Sequence, residues 1–208
     1  MPTIAFALIA YLIGSVSFAV VTSKLFGLPD PRTFGSRNPG ATNVLRTGKK
    51  AAAAVTLFGD AAKGWLAVFL ARHFAQAYGV DDTGIALVAL AVFLGHVFPL
   101  FFSFQGGKGV ATALGILLAL NVWMGLAVLA SWLLAAFMWR ISSLSALIAS
   151  VLAPLYGLVF LQAGVLRGAV LGLALLLIWR HQSNIRNLLT GKEGAIGKKS
   201  SAGDMPPQ

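Results

Sequence analysis

Long runs of apolar residues, separated by short polar stretches, recur along almost the whole chain. The runs cover residues 3–23, 51–77, 84–104, 109–139, 144–162 and 164–180. A transmembrane helix needs about 20 consecutive, mainly apolar residues. The pattern therefore predicts an all-α, polytopic membrane protein.

The fourth run, residues 109–139, is too long for a single membrane crossing. As one helix it would extend over about 46 Å, whereas the hydrocarbon core of a bilayer is about 30 Å thick. Asn121 and Gly125 lie near its middle and favour a turn, and Trp123 suits a membrane interface. We therefore weigh two helices here against one.

The positions of the basic residues decide the number of crossings. With seven helices and the N-terminus outside, nearly all Lys and Arg residues fall on the cytoplasmic side, and only Arg72 and Arg167 fall near the outer face. Cytoplasmic loops of membrane proteins are enriched in Lys and Arg. We therefore predict seven transmembrane helices with the N-terminus outside and the C-terminus cytoplasmic. A membrane domain, 1–190, is then followed by a disordered tail, 191–208, rich in Gly, Ser, Lys and Pro.

Composition agrees with this topology and excludes several classes of protein. The chain is 58% hydrophobic, has a mean hydropathy of +0.83 and carries a net charge of +10. In a soluble protein this charge would suggest nucleic acid, but basic cytoplasmic loops account for it, and we expect no nucleic-acid partner. The absence of cysteine excludes disulfides, thiolate metal sites and a Cys nucleophile. Because Met1–Ser23 carries no charge, we interpret the first run as a retained span and not a cleaved signal.

Four polar segments, distant in sequence, share the predicted cytoplasmic face: 34–50, 105–112, 140–145 and 180–187. The first contains "GSRNPGATNVLR", with hydroxyls, amides and two guanidinium groups. Gly40 allows backbone N–H groups to approach a ligand closely, and Pro39 biases Asn38 towards an extended conformation. Donors combined with fixed positive charge suit a phosphate, although the same composition is also typical of an ordinary basic loop.

The second segment, "QGGKGVAT", combines glycines with one lysine. It is not a Walker A loop, because Lys108 is followed by Gly109 and lies between membrane helices. Gly106 and Gly107 leave backbone N–H groups accessible, and a helix that begins at Val110 attracts anions at its N-terminus. Glycine turns with one lysine are also common between helices, so this motif alone is a weak signal.

Polar residues inside the apolar runs carry more information, because each is costly in hydrocarbon. Asp60 and Lys63 are three residues apart, on one helical face, where they can form an ion pair. We predict a structural role for this pair, and we expect His96 to hold neighbouring loops. His181 and Asn184, also three apart, can point into one pocket.

Four stretches together resemble one enzyme family: "GSRNPGATNVLR", "DAAKG", "GHVFPLFFSFQGGKGVAT" and "RHQSNIRNLLTGKE". They are similar to the bacterial acyl-phosphate-dependent glycerol-3-phosphate acyltransferases, inner-membrane enzymes with seven helices and three cytoplasmic motifs. The resemblance extends from Gly14 to about Glu193. Ser17 stands where we expect a proline, so the kink that a proline would cause is not encoded there. The last quoted stretch, "RHQSNIRNLLTGKE", also departs from the family pattern, at Gln182 and Lys192.

The resemblance implies the reaction and its partners. The sn-1 hydroxyl of glycerol 3-phosphate attacks an acyl phosphate, giving lysophosphatidic acid and phosphate in the first acylation step of phospholipid synthesis. The implied setting is membrane lipid at the cytoplasmic face of the inner membrane, with an acyl-phosphate-producing enzyme upstream and no cofactor. We expect no metal, because the carboxylates do not cluster at the inner face. The chain lacks the His-x-x-x-x-Asp pair of other glycerolipid acyltransferases. The alternative interpretation is a membrane transporter of organic phosphates.

The resemblance also implies the ligands of each substrate. Glycerol 3-phosphate is expected at Arg46, Lys108, Ser143, His181 and Asn184. The acyl phosphate is expected at Ser36, Asn38, Pro39, Gly40, Gly106 and Gly107, with its chain between helices in a groove open to lipid. His181 and Asn184 are the candidate catalytic residues. Either His181 or a substrate phosphate oxygen can take the proton, and we favour the phosphate, with both side chains positioning the nucleophile.

Overall fold

The computed structural model describes residues 2–197, and all regular structure in this part of the chain is helical. The helices are α1 (Pro2–Gly14), α2 (Phe18–Leu25), α3 (Ala41–Leu45), α4 (Lys50–Tyr78), α5 (Asp82–Val97), α6 (Val110–Leu120), α7 (Val122–Trp139), α8 (Ser142–Phe160), α9 (Gly164–Arg180) and α10 (Gln182–Leu189). A single 3-10 turn, Leu100–Phe102, follows α5. The predicted all-α class is therefore confirmed.

Among the described residues, five segments are long and apolar enough to cross a membrane: Pro2–Leu25, Lys50–Tyr78, Asp82–Phe102, Val122–Trp139 and Ser142–Phe160. A sixth results if α9 and α10 are counted together, although the chain bends by 58° between them. Because α10 is polar over most of its length, "QSNIRNLL", we take α9 alone as the apolar part. Large apolar side chains such as Phe58 and Phe137 face outward, 72% and 84% exposed, as expected for a protein surrounded by lipid.

The first span is interrupted, although the sequence encodes no proline there. α1 ends at Gly14 and α2 begins at Phe18. Lys63 on α4 donates a hydrogen bond from Nζ to the carbonyl oxygen of Val16 over 2.6 Å. A carbonyl between the two helices is thereby satisfied by a side chain. The helix is therefore interrupted without a proline, and this tertiary contact compensates for part of the lost helical hydrogen bonding.

The turn expected within residues 109–139 is confirmed at Asn121, which separates α6 from α7. The Asn121 side-chain oxygen accepts hydrogen bonds from the backbone N–H groups of Trp123 and Met124 and so caps α7. α6 has only 11 residues, or about 16 Å of helix. It is short because the preceding loop runs inside the bundle, where Gly109 packs against the Phe93 ring.

Two helix crossings bring backbones into direct contact at glycine. α1 meets α5 at Gly14 and Gly95, and α4 meets α6 at Gly64 and Gly115. A Cβ atom at any of these positions would collide with the backbone of the opposite helix. Small residues allow such close approach in membrane bundles. The first crossing fixes α5, which precedes the glycine loop, against α1, and the second fixes α6, which follows that loop, against α4.

Side-chain hydrogen bonds show which segment ends lie together. Arg72, near the end of α4, donates to the carbonyl oxygen of Leu120, the last residue of α6. Asn121 donates from Nδ2 to the carbonyl oxygen of Phe160, the last residue of α8. The ends of α4, α6 and α8 therefore meet at one end of the bundle.

The polar segments meet at the other end. Arg180 donates to the carbonyl oxygen of Gly107 over 3.3 Å, and the hydroxyls of Thr42 and Ser142 lie 3.2 Å apart. The first contact connects the polar segments 105–112 and 180–187, and the second connects the segments 34–50 and 140–145. A Cβ atom on Gly107 would lie 2.9 Å from the carbonyl oxygen of Pro39, which also connects the first segment with the second, so the four segments lie together in the fold.

Residues 191–197, which the composition predicts to be disordered, pack against this same end. The N–H of Ile196 donates to the carbonyl oxygen of Arg140 over 2.8 Å. The carboxylate of Glu193 accepts hydrogen bonds from α8 and α10. This part of the chain therefore contributes to the site, while residues 198–208 of the predicted tail lie outside the described residues.

Candidate active site

The glycine loop, Gln105–Gly109, is held by hydrogen bonds on two sides. The N–H of Gly107 donates to the carbonyl oxygen of His96 over 3.2 Å. The Arg180 guanidinium donates to the carbonyl oxygens of Gly106 and Gly107 over 3.2 and 3.3 Å. A side chain at either glycine would collide with His96, so only glycine fits. The loop therefore has one defined backbone orientation.

That orientation leaves backbone donors at the start of α6. Gly109 has a φ of 87°, in the left-handed region, and turns the chain into the helix. The N–H groups of Lys108 and Gly109 have no hydrogen-bond partner among the described residues. The first-turn N–H groups of an α-helix likewise have no intrahelical partner. The loop can thus present several donors and the positive end of a helix dipole to an anion.

Lys108 lies within a cluster of charged side chains. Burial lowers the pKa of Lys108 to about 8, the Glu193 carboxylate opposes this shift, and the positive charges of Arg180 and Arg46 add to it. The cluster thus contains three cations and one carboxylate, a formal charge of +2. A phosphate group carries about −1.5 to −2 near neutral pH, so the cluster is complementary to one phosphate.

One oxygen of Glu193 connects two of the predicted ligands. Oε1 accepts a hydrogen bond from the Ser143 hydroxyl over 2.6 Å and another from Nδ2 of Asn184 over 2.6 Å. The side-chain oxygen of Asn184 is buried and has no hydrogen-bond partner among the described residues. Because buried polar atoms are normally hydrogen-bonded, this oxygen is suited to accept a hydrogen bond from a ligand hydroxyl.

His181 lies between α9 and α10, where the chain bends, and only 2% of it is exposed. Its Nδ1 lies 2.8 Å from the carbonyl oxygen of Leu177. A carbonyl oxygen can only accept, so Nδ1 carries the proton and Nε2 is an acceptor. Burial lowers the pKa of His181 to about 4. The ring is therefore neutral near pH 7 and can accept a hydrogen bond through Nε2.

The first polar segment is shaped by Asn43, a buried residue of α3. Its Oδ1 accepts from the N–H of Ser36 over 3.1 Å, and its Nδ2 donates to the carbonyl oxygens of Pro31 and Phe34 over 2.7 and 3.2 Å. These three bonds close the loop around one side chain. The Asn43 amide, one of the amides in the first polar segment, therefore holds the loop together.

The residues predicted to bind acyl phosphate lie on this loop and on the glycine loop. Ser36 is exposed, Asn38 and Gly40 are partly exposed and Pro39 is buried. A Cβ atom on Gly107 would lie 2.9 Å from the carbonyl oxygen of Pro39. The two loops are therefore in contact.

The three residues predicted to have structural roles form one buried cluster between α4 and α5. Lys63 Nζ lies 2.8 Å from Asp60 Oδ1, and His96 Nδ1 lies 3.5 Å from the same oxygen. The side chains are only 3%, 4% and 7% exposed for Lys63, Asp60 and His96. The ion pair expected from the spacing of Asp60 and Lys63 is therefore present.

Two residues of the site were not predicted as ligands. Arg180 holds the glycine loop, and Glu193 holds Ser143 and Asn184. Arg180 precedes His181 directly, so its position beside a predicted ligand was a usable signal. Glu193 ends the last of the four quoted stretches, but the composition of the residues around it indicated a tail.

Comparisons with known proteins agree with this arrangement. The family model described as glycerol-3-phosphate acyltransferase matches residues 4–191. A glycerol-3-phosphate acyltransferase of Cupriavidus pinatubonensis is 62% identical over 96% of this chain and 98% of its own length. One of Janthinobacterium sp. is also 62% identical, over 96% of this chain and 99% of its own.

Solved structures show the same fold. The crystal structure of PlsY (YgiH), an integral membrane glycerol 3-phosphate acyltransferase, in its glycerol 3-phosphate form has a TM-score of 0.87 and 36% identity, covering 94% of this chain and 96% of that one. The lysophosphatidic acid form has a TM-score of 0.86 and 35% identity, covering 95% and 97%. The chain described here therefore belongs to the glycerol-3-phosphate acyltransferase family of integral membrane proteins.

Proposed function

We propose that this protein transfers an acyl group from an acyl phosphate to the sn-1 hydroxyl of glycerol 3-phosphate. The hydroxyl oxygen forms a bond to the acyl carbon, and the bond between that carbon and the phosphate oxygen breaks. The products are lysophosphatidic acid and inorganic phosphate, and the hydroxyl proton leaves on the phosphate. This is the first acylation step of phospholipid synthesis.

The observation that carries the proposal is the convergence of Arg46, Lys108 and Arg180 with the single carboxylate of Glu193. Their net charge of +2 complements one phosphate dianion. The free N–H groups at the start of α6 lie beside Lys108 and add directional donors. We assign the phosphate of glycerol 3-phosphate to Arg46, Lys108 and these N–H groups.

The glycerol hydroxyls are assigned to the uncharged part of the site. The unpartnered oxygen of Asn184 and Nε2 of His181 are both acceptors, which is what hydroxyl groups require. Ser143, held by Glu193, completes this group. The glycerol 3-phosphate and lysophosphatidic acid forms of the PlsY crystal structures support the same substrate and product for this chain.

The acyl phosphate is assigned to Ser36 and the 38–40 backbone, together with Gly106 and Gly107. The contact between Pro39 and Gly107 brings the two loops together, so the two substrates would bind side by side. Such placement lowers the barrier by fixing the reacting groups near one another. The acyl chain would extend between helices towards lipid.

The proton path is assigned to the substrate and not to His181. A general base works best when its pKa lies near the working pH, and burial lowers the pKa of His181 to about 4. A phosphate oxygen, whose second pKa is about 6, is the stronger base. His181 and Asn184 would therefore orient the nucleophile while the phosphate accepts its proton.

For the topology we propose seven crossings, with the N-terminus outside and the site at the cytoplasmic face of the inner membrane. The alternation of segment ends supports this, since α4, α6 and α8 end together and the polar loops meet opposite them. The enrichment of Lys and Arg at the polar end supports the cytoplasmic assignment.

The test is an assay of the purified protein in detergent micelles, where no membrane barrier remains. Acyl phosphate, acyl-CoA and acyl-carrier protein are compared as donors to glycerol 3-phosphate, with phosphate and lysophosphatidic acid measured. We expect both products from acyl phosphate alone. Turnover with either thioester donor but not with acyl phosphate would refute the donor assignment. No turnover with any donor would favour the transporter alternative.

A further inference from the structure

Asp60, Lys63 and His96 are buried together beneath the glycine loop, and the proposed reaction uses none of them. Burying ionisable groups among membrane helices is costly, and apolar residues usually stabilise such a position at least as well. Their contacts therefore need an explanation beyond helix packing. Lys63 also donates to the carbonyl oxygen of Val16, which ties the cluster to the interruption between α1 and α2.

His96 connects this cluster to the glycine loop through both its backbone and its ring. Its carbonyl oxygen accepts from the N–H of Gly107 over 3.2 Å. A Cβ atom on Gly107 would lie only 2.3 Å from its Nε2, so the ring packs directly against the glycine. On the opposite edge of the ring, Nδ1 lies 3.5 Å from Asp60 Oδ1. The ring therefore occupies the space between Asp60 and the loop.

The loop is constrained from its other side by Arg180, which donates to the carbonyl oxygens of Gly106 and Gly107. With both carbonyls directed towards Arg180 and one N–H towards His96, the next two N–H groups remain free for an anion. The peptide between Gly107 and Lys108 carries one of these free N–H groups, so if that peptide rotated, the Gly107 carbonyl oxygen would replace a donor beside the phosphate. Glycine makes such a rotation easy unless neighbouring groups prevent it.

We propose that His96 is a positioning residue that fixes the Gly106–Gly107 peptide and so presents Lys108 and the start of α6 to glycerol 3-phosphate. The inference rests on the proposed function to the extent that glycerol 3-phosphate binds at Lys108. It does not depend on the identity of the acyl donor. His96 would act through the loop, without touching the substrate.

The test is a double-mutant cycle on glycerol 3-phosphate affinity, measured by calorimetric titration of the purified protein in micelles. The variants are His96→Ala, Lys108→Ala and the two combined. If His96 acts through the loop, His96→Ala should weaken binding by about tenfold in the wild-type background, within the range of coupled neighbours. In the Lys108→Ala background its effect should fall to about twofold or less. Equal effects in both backgrounds, or no effect in either, would overturn the proposal.

Controls separate positioning from a general loss of structure. His73→Ala removes the histidine stacked on Phe69, in the half of α4 away from the loops, and should leave the affinity unchanged. If His96→Ala does not fold, the cycle is run with His96→Gln, which keeps a polar side chain, and the same non-additivity is expected. Wild-type protein that does not bind glycerol 3-phosphate would overturn both this inference and the proposed function. Wild-type protein that binds it but uses another donor would overturn the donor assignment alone.

Discussion

Asn184 donates a hydrogen bond from Nδ2 to Oε1 of Glu193 over 2.6 Å, across the end of α10. Ser143 donates to the same oxygen from α8. One carboxylate oxygen thus orients two side chains that we assign to glycerol 3-phosphate. Its charge also offsets part of the positive cluster around Lys108. Glu193 would therefore act as a positioning residue through its two partners.

Replacing Glu193 by Gln tests this role. The amide keeps one acceptor oxygen but loses the charge that strengthens both hydrogen bonds, each worth about 1.5–3 kcal/mol when one partner is ionised. We expect kcat/KM for glycerol 3-phosphate to fall by about tenfold or more. The matched control is Asp82→Asn, which neutralises an exposed carboxylate at the start of α5 and should leave kcat/KM unchanged. Equal activities in the two variants would remove Glu193 from the site.

Replacing Arg46 or Lys108 by Ala should remove a charge-assisted contact to phosphate. The expected cost is about 2–3 kcal/mol, or roughly 30- to 150-fold in kcat/KM. Arg186→Ala removes an exposed cation of α10 and serves as the control for net charge. Wild-type kinetics in Arg46→Ala or Lys108→Ala would exclude that residue from phosphate recognition.

The pKa of Lys108 predicts a basic limit to substrate binding. Because burial lowers this pKa to about 8, the ammonium is charged below pH 8 and becomes neutral above it. KM for glycerol 3-phosphate should change little near pH 7, where its phosphate is mostly a dianion, and should be about doubled at pH 8, where half of Lys108 is neutral. Above pH 8 it should rise by about tenfold per pH unit.

Lys108→Arg is the control for this limit, because arginine stays charged above pH 12. Its KM should show no rise between pH 8 and 10, even if the value is higher throughout. A rise that persists in Lys108→Arg would mean that another group causes it.

The acidic limb of the pH–rate profile distinguishes the two proton acceptors. A phosphate oxygen titrates near pH 6, whereas the pKa of His181 is lowered to about 4. We expect His181→Ala to be weakened but to keep a limb near pH 6, and Asn184→Ala to be at least as damaging, since Asn cannot act as a base. Loss of this limb in well-folded His181→Ala would instead identify His181 as the general base, with an activity loss of about 10²–10⁴-fold.

Reporter fusions test the proposed topology. Fusions after Lys50, Arg140 and Glu193 should report a cytoplasmic position, and one after Asp82 an external position. The reason is that the polar loops share one end of the bundle and the α4–α5 connection lies away from them. A cytoplasmic signal from the Asp82 fusion would contradict seven crossings.

Local patterns were sufficient for some features and not for others. Helical periodicity alone puts Asp60 and Lys63 on one face, and a turn-forming Asn121 in an overlong run locates a break. Glu193 could not be found in this way, because its partner Ser143 is 50 residues away and its own segment has the composition of a tail. The interruption of the first span likewise depends on Lys63, a residue of another helix.

The short α6 has a consequence for how the product leaves. The glycine loop lies beside Phe93 and His96, which belong to the last turns of α5. The proposed reaction therefore takes place alongside these turns, within the bundle, and not beyond the end of α5. We therefore expect the ester to form near the boundary between headgroups and hydrocarbon. Lysophosphatidic acid can then diffuse sideways into the leaflet without its acyl chain crossing water, while phosphate returns to the aqueous side.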